Sequence, residues 1–125
     1  MLIGILIAAA AMTPAAQTDL TVLGSEPSRI DVAYDALQAG RADAAVERIR
    51  ASGLIEEGDP AALINLGSAY ARLGDKGAAR DCYRSAIMSK ERYDLELEGG
   101  AWMDSRAAAR LAIVRLEQGR TLALR

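Results

Sequence analysis

The sequence contains 125 residues, of which 51% are hydrophobic, 26% are charged and only 4% are aromatic. Lys and Arg total 15 against 17 Asp and Glu, so the chain lacks the basic surface that binding to nucleic-acid phosphates requires. His is absent and Cys occurs once, which argues against Cys/His zinc sites, an intramolecular disulfide and most catalytic arrangements. Abundant small apolar residues favour one domain of closely packed helices.

Residues 1–16 have the layout of a secretory signal peptide. They carry no charged side chain, and an apolar run from Leu2 to Met12 precedes small residues that include Thr13 and Ala15. This run is well short of the ~20 apolar residues that span a bilayer, so an uncleaved membrane anchor is the weaker alternative. We expect cleavage and export to a bacterial periplasm, with no stable membrane span afterwards.

The mature chain is predicted to begin with a short connecting stretch. Residues 17–27 form an extended arm or a linker, because Leu20 and Val22 alternate with Thr21 between them. Ser28 and Asp31 then resemble a capping box, which places the start of a helical domain at residue 28. The domain extends over 28–119, and residues 120–125 form a C-terminal tail that is too short to complete another helical pair.

Two parts of this domain are related by a period of one helical hairpin. Gly40 and Gly74 lie 34 residues apart, and apolar residues recur at helical spacing on both sides of each glycine. We expect both glycines to end a helix in the left-handed conformation. Asp59, which precedes a proline, and Asp75 are predicted to cap the helices that follow them.

A fifth helix is predicted from Asp104 or Ser105 to Gln118, with Gly119 ending it. Its apolar frame is offset by 45 residues from that of the second hairpin, so 11 residues have been inserted before it. The insert, near 93–103, alternates polar and apolar residues around a Gly-Gly pair, which predicts a small β-hairpin. We expect Trp102 to anchor this hairpin on the helices.

The second hairpin carries the frame of a known repeat. It reads Leu63-x2-Leu66-Gly67-x2-Tyr70, followed by Ala79-x3-Tyr83 and Ala86. This frame resembles the tetratricopeptide repeat (TPR), whose signature is W-x2-L-G-x2-Y…A-x3-F…P. Leu63 stands in place of the Trp, Tyr83 of the Phe and Glu91 of the final Pro. The resemblance implies an all-α fold, a short right-handed solenoid of about five helices in TPR-like hairpins, with the β-hairpin inserted.

The same resemblance implies a binding surface. TPR proteins bind peptides or other proteins in a concave groove that the first helix of each repeat lines. By helical phase, the partner-binding candidates in this chain are Tyr34, Asn65, Ser68, Arg72, Arg106 and Arg110. A subgroup of the family grips a peptide carboxylate with a clamp of Lys, Arg and Asn, and Asn65, Arg106 and Arg110 match its later positions. For the two arginines, which are one turn apart, a solvated basic helix face is the alternative.

The function expected from these features is binding without catalysis. No spacing joins a nucleophile to a base, so we expect no catalytic residue, no cofactor and no metal. We expect a scaffold or accessory subunit of a cell-envelope complex, with a protein or peptide as partner. The alternative is a structural protein that self-associates through its solenoid ends, and a homodimer is possible. Cys82 is interpreted as a buried, inert thiol, with an intermolecular disulfide as the alternative.

Overall fold

The computed structural model describes residues 29–125, so the predicted signal peptide, the linker and Ser28 lie outside the described part. The helices are α1 (Arg29–Gln38), α2 (Ala42–Ala51), α3 (Pro60–Arg72), α4 (Lys76–Met88) and α5 (Ser105–Glu117). Between α4 and α5, β1 (Asp94–Glu96) and β2 (Trp102–Asp104) form an antiparallel hairpin. The described chain is therefore mostly helical with one small sheet, as the sequence predicted.

The predicted helix ends are confirmed. Gly40 and Gly74 follow α1 and α3 with φ angles of 73° and 88°, in the left-handed region. The Asp59 carboxylate accepts a 2.9 Å hydrogen bond from the backbone N–H three residues further on, and Asp75 accepts one of 3.0 Å in the same way. Local sequence signals thus define where the two hairpins begin and end.

Helix α3 lies at the centre of the molecule. Each helix packs on the next in chain order, and α3 also packs on α1 and α5. Every residue from 60 to 69 is buried. At Gly67 an added Cβ would lie 2.6 Å from Tyr83 Cε1 and 3.0 Å from the Ala79 carbonyl oxygen, so only a hydrogen atom fits between α3 and α4.

The β-hairpin forms where it was predicted, but Trp102 does not anchor it. The register places Leu95 opposite Met103 and Glu96 opposite Trp102, and directly opposite residues share one face of a sheet. Leu95 is 4% exposed in the helical core, whereas Trp102 is 68% exposed on the acidic face. The expectation for Trp102 was therefore wrong, because pairing with Glu96 turns its side chain outward.

Candidate functional site

After α5 the chain turns at Gly119 and runs back along α3 in an extended conformation. Residues 121–125, which we term the docked segment, lie antiparallel to α3, with Thr121 near Arg72 and Leu124 near Asn65. Leu122, Ala123 and Leu124 are 1%, 0% and 0% exposed. Within the stretch 120–125 that the sequence predicted to be a short tail, residues 122–124 are thus buried on the helix that carries three of the predicted site residues.

One edge of the docked segment pairs with the chain next to β1. The Glu98 N–H donates to the Ala123 carbonyl, and the Arg125 N–H donates to the Glu96 carbonyl, both at 3.1 Å. Leu97 lies directly opposite Leu124 in an antiparallel bridge. The docked segment therefore acts as a third strand beside the hairpin.

The other edge of the docked segment pairs with side chains of α3. The Asn65 amide donates to the Leu124 carbonyl at 3.0 Å and accepts from the Leu124 N–H at 2.9 Å. The Ser68 hydroxyl donates to the Leu122 carbonyl. Asn65 and Ser68 are fully buried, so these bonds form out of contact with water. A helix thus supplies the hydrogen bonds that a neighbouring strand would otherwise supply.

Tyr83 extends this polar contact beneath α3. Its hydroxyl lies 2.9 Å from the Ser68 oxygen, and because Ser68 already donates to a carbonyl, the Tyr83 hydroxyl must be the donor. Burial raises the pKa of the Tyr83 phenol above its ordinary value, in keeping with a neutral donor. The Ser68 hydroxyl thus accepts a hydrogen bond from Tyr83 and donates one to the docked segment.

Both faces of the docked segment are covered as well. Leu122 and Leu124 pack into the cluster formed by α3, α4, α5 and Leu95. Ala123 points the opposite way, as alternation along a strand requires, and packs in a second cluster with small residues of α1, α2 and α3. This second cluster contains Ala36, Leu37, Ala42, Ala45 and Ala69. The docked segment is therefore enclosed on two edges and two faces.

Polar residues that are exposed or partly buried surround the ends of this contact. Arg72 donates from Nε to the Thr121 hydroxyl at 3.2 Å and from Nη1 to the Leu37 carbonyl. The Arg125 guanidinium lies 5.5 Å from the centre of the Tyr34 ring, within the range of a cation–π contact. Tyr34 and Arg72 thus contact the same segment that Asn65 and Ser68 hold.

The remaining two candidates lie elsewhere. Arg106 donates from Nη2 to the Ser89 carbonyl at 3.2 Å, at the end of α4, and its Nε is buried without a partner. Arg110 is exposed, and no hydrogen bond or ion pair within 29–125 holds it. The structure brings four of the six predicted residues together around one polypeptide segment and does not join the α5 arginines to them.

Sequence reasoning missed the occupant of this site. The signal was present in Leu122-Ala123-Leu124, an apolar triplet separated from the end of α5 by four residues. It also missed Glu96 and Glu98, which contribute backbone groups that no side-chain pattern identifies. The chemistry of the assembled site is recognition of an extended main chain, with apolar side chains accepted on both faces.

Other potential centres in the part of the chain that the structure describes give no further site. Cys82 is partly buried, and this burial raises the pKa of its thiol to about 11, which suppresses the reactive thiolate. Among residues 29–125, no three His, Cys, Asp or Glu side chains converge as metal ligands. The helices in this range are all too short or too polar to cross a bilayer.

Comparison with known proteins returned no relative: no protein-family model, curated protein or solved structure matches the chain.

Proposed function

We propose that the protein is a non-catalytic interaction module that binds an extended segment of a partner protein along α3. The observation that carries this proposal is the pairing of Asn65 and Ser68 with the main chain of residues 122 and 124. Pairing of an extended segment through its main-chain hydrogen bonds is a common mode of peptide recognition. We term the surface of α3 and residues 96–98 on which the docked segment lies the groove. A scaffold or accessory subunit of a cell-envelope complex would use this groove.

The proposal includes the TPR-like architecture. A short right-handed solenoid of helical hairpins would place α1, α3 and α5 along one groove. Three features support it: helices that pack in chain order, the 13-residue lengths of both α3 and α4, and the contact of Gly67 with Tyr83.

Export belongs to the same proposal. The uncharged apolar run in residues 1–16 supports cleavage and a periplasmic location. Mass spectrometry of the protein purified from its own cells should give a chain that begins close to residue 17. A chain that retains residues 1–16 would contradict this part of the proposal and leave the binding site unaffected.

Site-specific photo-crosslinking tests the binding function in the native cell. A photoreactive phenylalanine analogue at Gln38, whose amide donates to Glu98 at 2.9 Å, would lie beside the groove. The same analogue at Arg84, an exposed residue of α4, is the matched control. We expect a discrete adduct with another protein at Gln38 that is missing at Arg84. No adduct at Gln38, or the same set of adducts at both positions, would overturn the proposal.

Self-association is the second candidate function, and the exposed Trp102 favours it. Trp102 lies on β2, whose outer edge pairs with no other strand within the described residues. A large apolar side chain on a free strand edge suits contact with a second copy. Sedimentation over a hundredfold range of concentration, repeated with Trp102→Ser, distinguishes the candidates, because a concentration-dependent mass that the substitution abolishes would favour self-association.

A further inference from the structure

We infer that the groove selects an aliphatic–small–aliphatic segment, and that the docked segment is an internal ligand which a partner segment of this pattern replaces. This inference rests on the proposed function and specifies its ligand. It starts from the enclosure of residues 122–124. Because all three are buried, the surroundings of each position define the side chain that the groove accepts.

The two outer positions require aliphatic side chains. Leu122 and Leu124 point to the same side of the segment and pack in the main core with Leu95, Leu116 and Tyr83. A polar side chain at either position would enter this core without a hydrogen-bonding partner. The groove therefore discriminates against polar residues there.

The central position requires a small side chain. Ala123 faces the opposite cluster, in which Ala36, Ala45 and Ala69 are all fully buried. Because Ala123 is itself fully buried in this cluster, added methylene groups would push the surrounding helices apart. Ala or Gly is expected in a ligand at this point.

The hydrogen bonds along the edges of the groove do not select among side chains of the bound segment. Asn65, Ser68 and the backbone groups of Glu96 and Glu98 hydrogen-bond to backbone atoms of the docked segment, and the ion pair of Arg125 with Glu96 at 3.9 Å lies outside the buried positions 122–124. Any extended chain presents the same backbone groups at the same spacing. A foreign segment with the right three side chains would therefore restore every one of these hydrogen bonds.

Replacement is favoured over simple departure of the docked segment. If residues 121–125 left, Asn65 and Ser68 would lose their backbone partners, and the apolar surface that Leu122 and Leu124 cover would be exposed to water. An incoming segment removes that penalty, so exchange is close to balanced and additional contacts outside the groove decide it. The segment is tethered to α5 only through Gln118, Gly119 and Arg120, which are all exposed.

A peptide binding experiment tests this inference with the full chain. Leu122→Ser combined with Leu124→Ser removes both apolar anchors of the internal ligand and leaves the groove residues unchanged. The probe is a fluorescein-labelled peptide with the sequence of residues 119–125, followed by anisotropy and by thermal unfolding. The control peptide carries Ala123→Trp. A third protein adds Asn65→Ala to the double variant.

We expect the probe to bind the double variant and raise its Tm, and the control peptide to bind at least tenfold more weakly. Asn65→Ala should weaken binding of the probe about tenfold or more, because two hydrogen bonds are lost. If the double variant is unfolded, millimolar probe should restore its helical circular dichroism, and the control peptide should not.

Absence of both binding and restored helicity would overturn the inference, as would equal binding of the two peptides. These outcomes are independent of the cross-linking at Gln38. A partner captured at Gln38 together with a silent peptide would retain the proposed function and exclude this ligand. Peptide binding without a cellular adduct would retain the ligand preference and exclude the function.

Discussion

Two strands flank β1, and one of them is enclosed by helices whereas the other is open to solvent. The docked segment lies on one side with its residues 122–124 buried, including the small Ala123. Strand β2 lies on the other side and exposes the largest side chain in the chain, that of Trp102. The comparison shows that the cover over a strand, rather than the hydrophobicity of its residues, decides what is buried here. Helices α1, α2 and α3 enclose the docked segment, whereas the outer edge of β2 has no strand partner in the described chain.

The difference predicts where substitutions matter. On the enclosed side the buried polar groups are hydrogen-bonded and the apolar side chains are closely packed. Removing a hydrogen-bonding partner or adding a methylene group should therefore lower the free energy of unfolding. On the open side water replaces any contact that is removed.

Asn65→Ala should give the largest loss of stability. It leaves the N–H and the carbonyl of Leu124 buried without partners, which costs about 3–5 kcal/mol when both groups are counted. Urea unfolding followed by circular dichroism measures the loss. Gln38→Ala is the matched control, because its amide bonds to Glu98 at an exposed position and its removal should cost less than about 0.5 kcal/mol. Similar losses in the two variants would contradict the enclosure of the docked segment.

Ala123→Leu should destabilise the protein by overpacking. The added side chain would enter the alanine cluster of α1, α2 and α3, at an expected cost of about 1–3 kcal/mol. Ala101→Leu makes the same change at an exposed residue beside β2 and should leave the free energy of unfolding within about 0.5 kcal/mol. If the two substitutions had equal effects on urea unfolding, the docked segment would be no better covered than β2.

The sequence was sufficient for features with local causes. Gly74 predicts a helix end because glycine readily adopts a positive φ angle, and Asp75 predicts a helix cap because its carboxylate accepts a backbone hydrogen bond. Both predictions are confirmed. Helical phase also placed Asn65 and Ser68 on one face. What it could not supply is the occupant of that face, because pairing of Leu124 with Asn65 joins residues that are 59 positions apart.

The error at Trp102 has a related cause. Its direction depends on the hairpin register, and a register shift of one residue would have turned Trp102 inward in place of Met103. Alternation within the insert identifies two faces without stating which strand residue lies opposite which. The placement of the α5 arginines away from the docked segment, with Arg106 bonded to the end of α4, depends in the same way on packing between elements.

Alkaline pH should lower the free energy of unfolding through tyrosines near the docked segment and near β1. Burial raises the pKa of Tyr83 beneath the docked segment and that of Tyr93 before β1, whose hydroxyl donates to Asp59. Since the folded pKa values are higher, the stabilisation is complete below the unfolded value of about 10 and is lost as the pH rises above it. Burial of Cys82 acts in the same direction, from an ordinary pKa of 9.0 to about 11.

Thermal unfolding between pH 8 and pH 11 in a Cys82→Ala background measures the tyrosine contribution. We expect Tm to fall across this interval, and to fall less in Tyr83→Phe and in Tyr93→Phe. A Tm that is flat or rises with pH in the Cys82→Ala protein would show that neither phenol is shielded in the folded state. A change confined to Tyr83→Phe would restrict the shielding to the side of the docked segment.

The smallest effect is expected at Trp102. Its removal in Trp102→Ala should change the free energy of unfolding by less than about 0.5 kcal/mol, since the side chain is 68% exposed. It is the only Trp in the chain, so emission should lie close to that of tryptophan in water and shift little on unfolding. Acrylamide is the suitable quencher, because Glu96 lies opposite Trp102 and would repel an anion such as iodide. Shielded, blue-shifted emission that appears only at high protein concentration would instead show that a second copy covers β2, and would favour self-association.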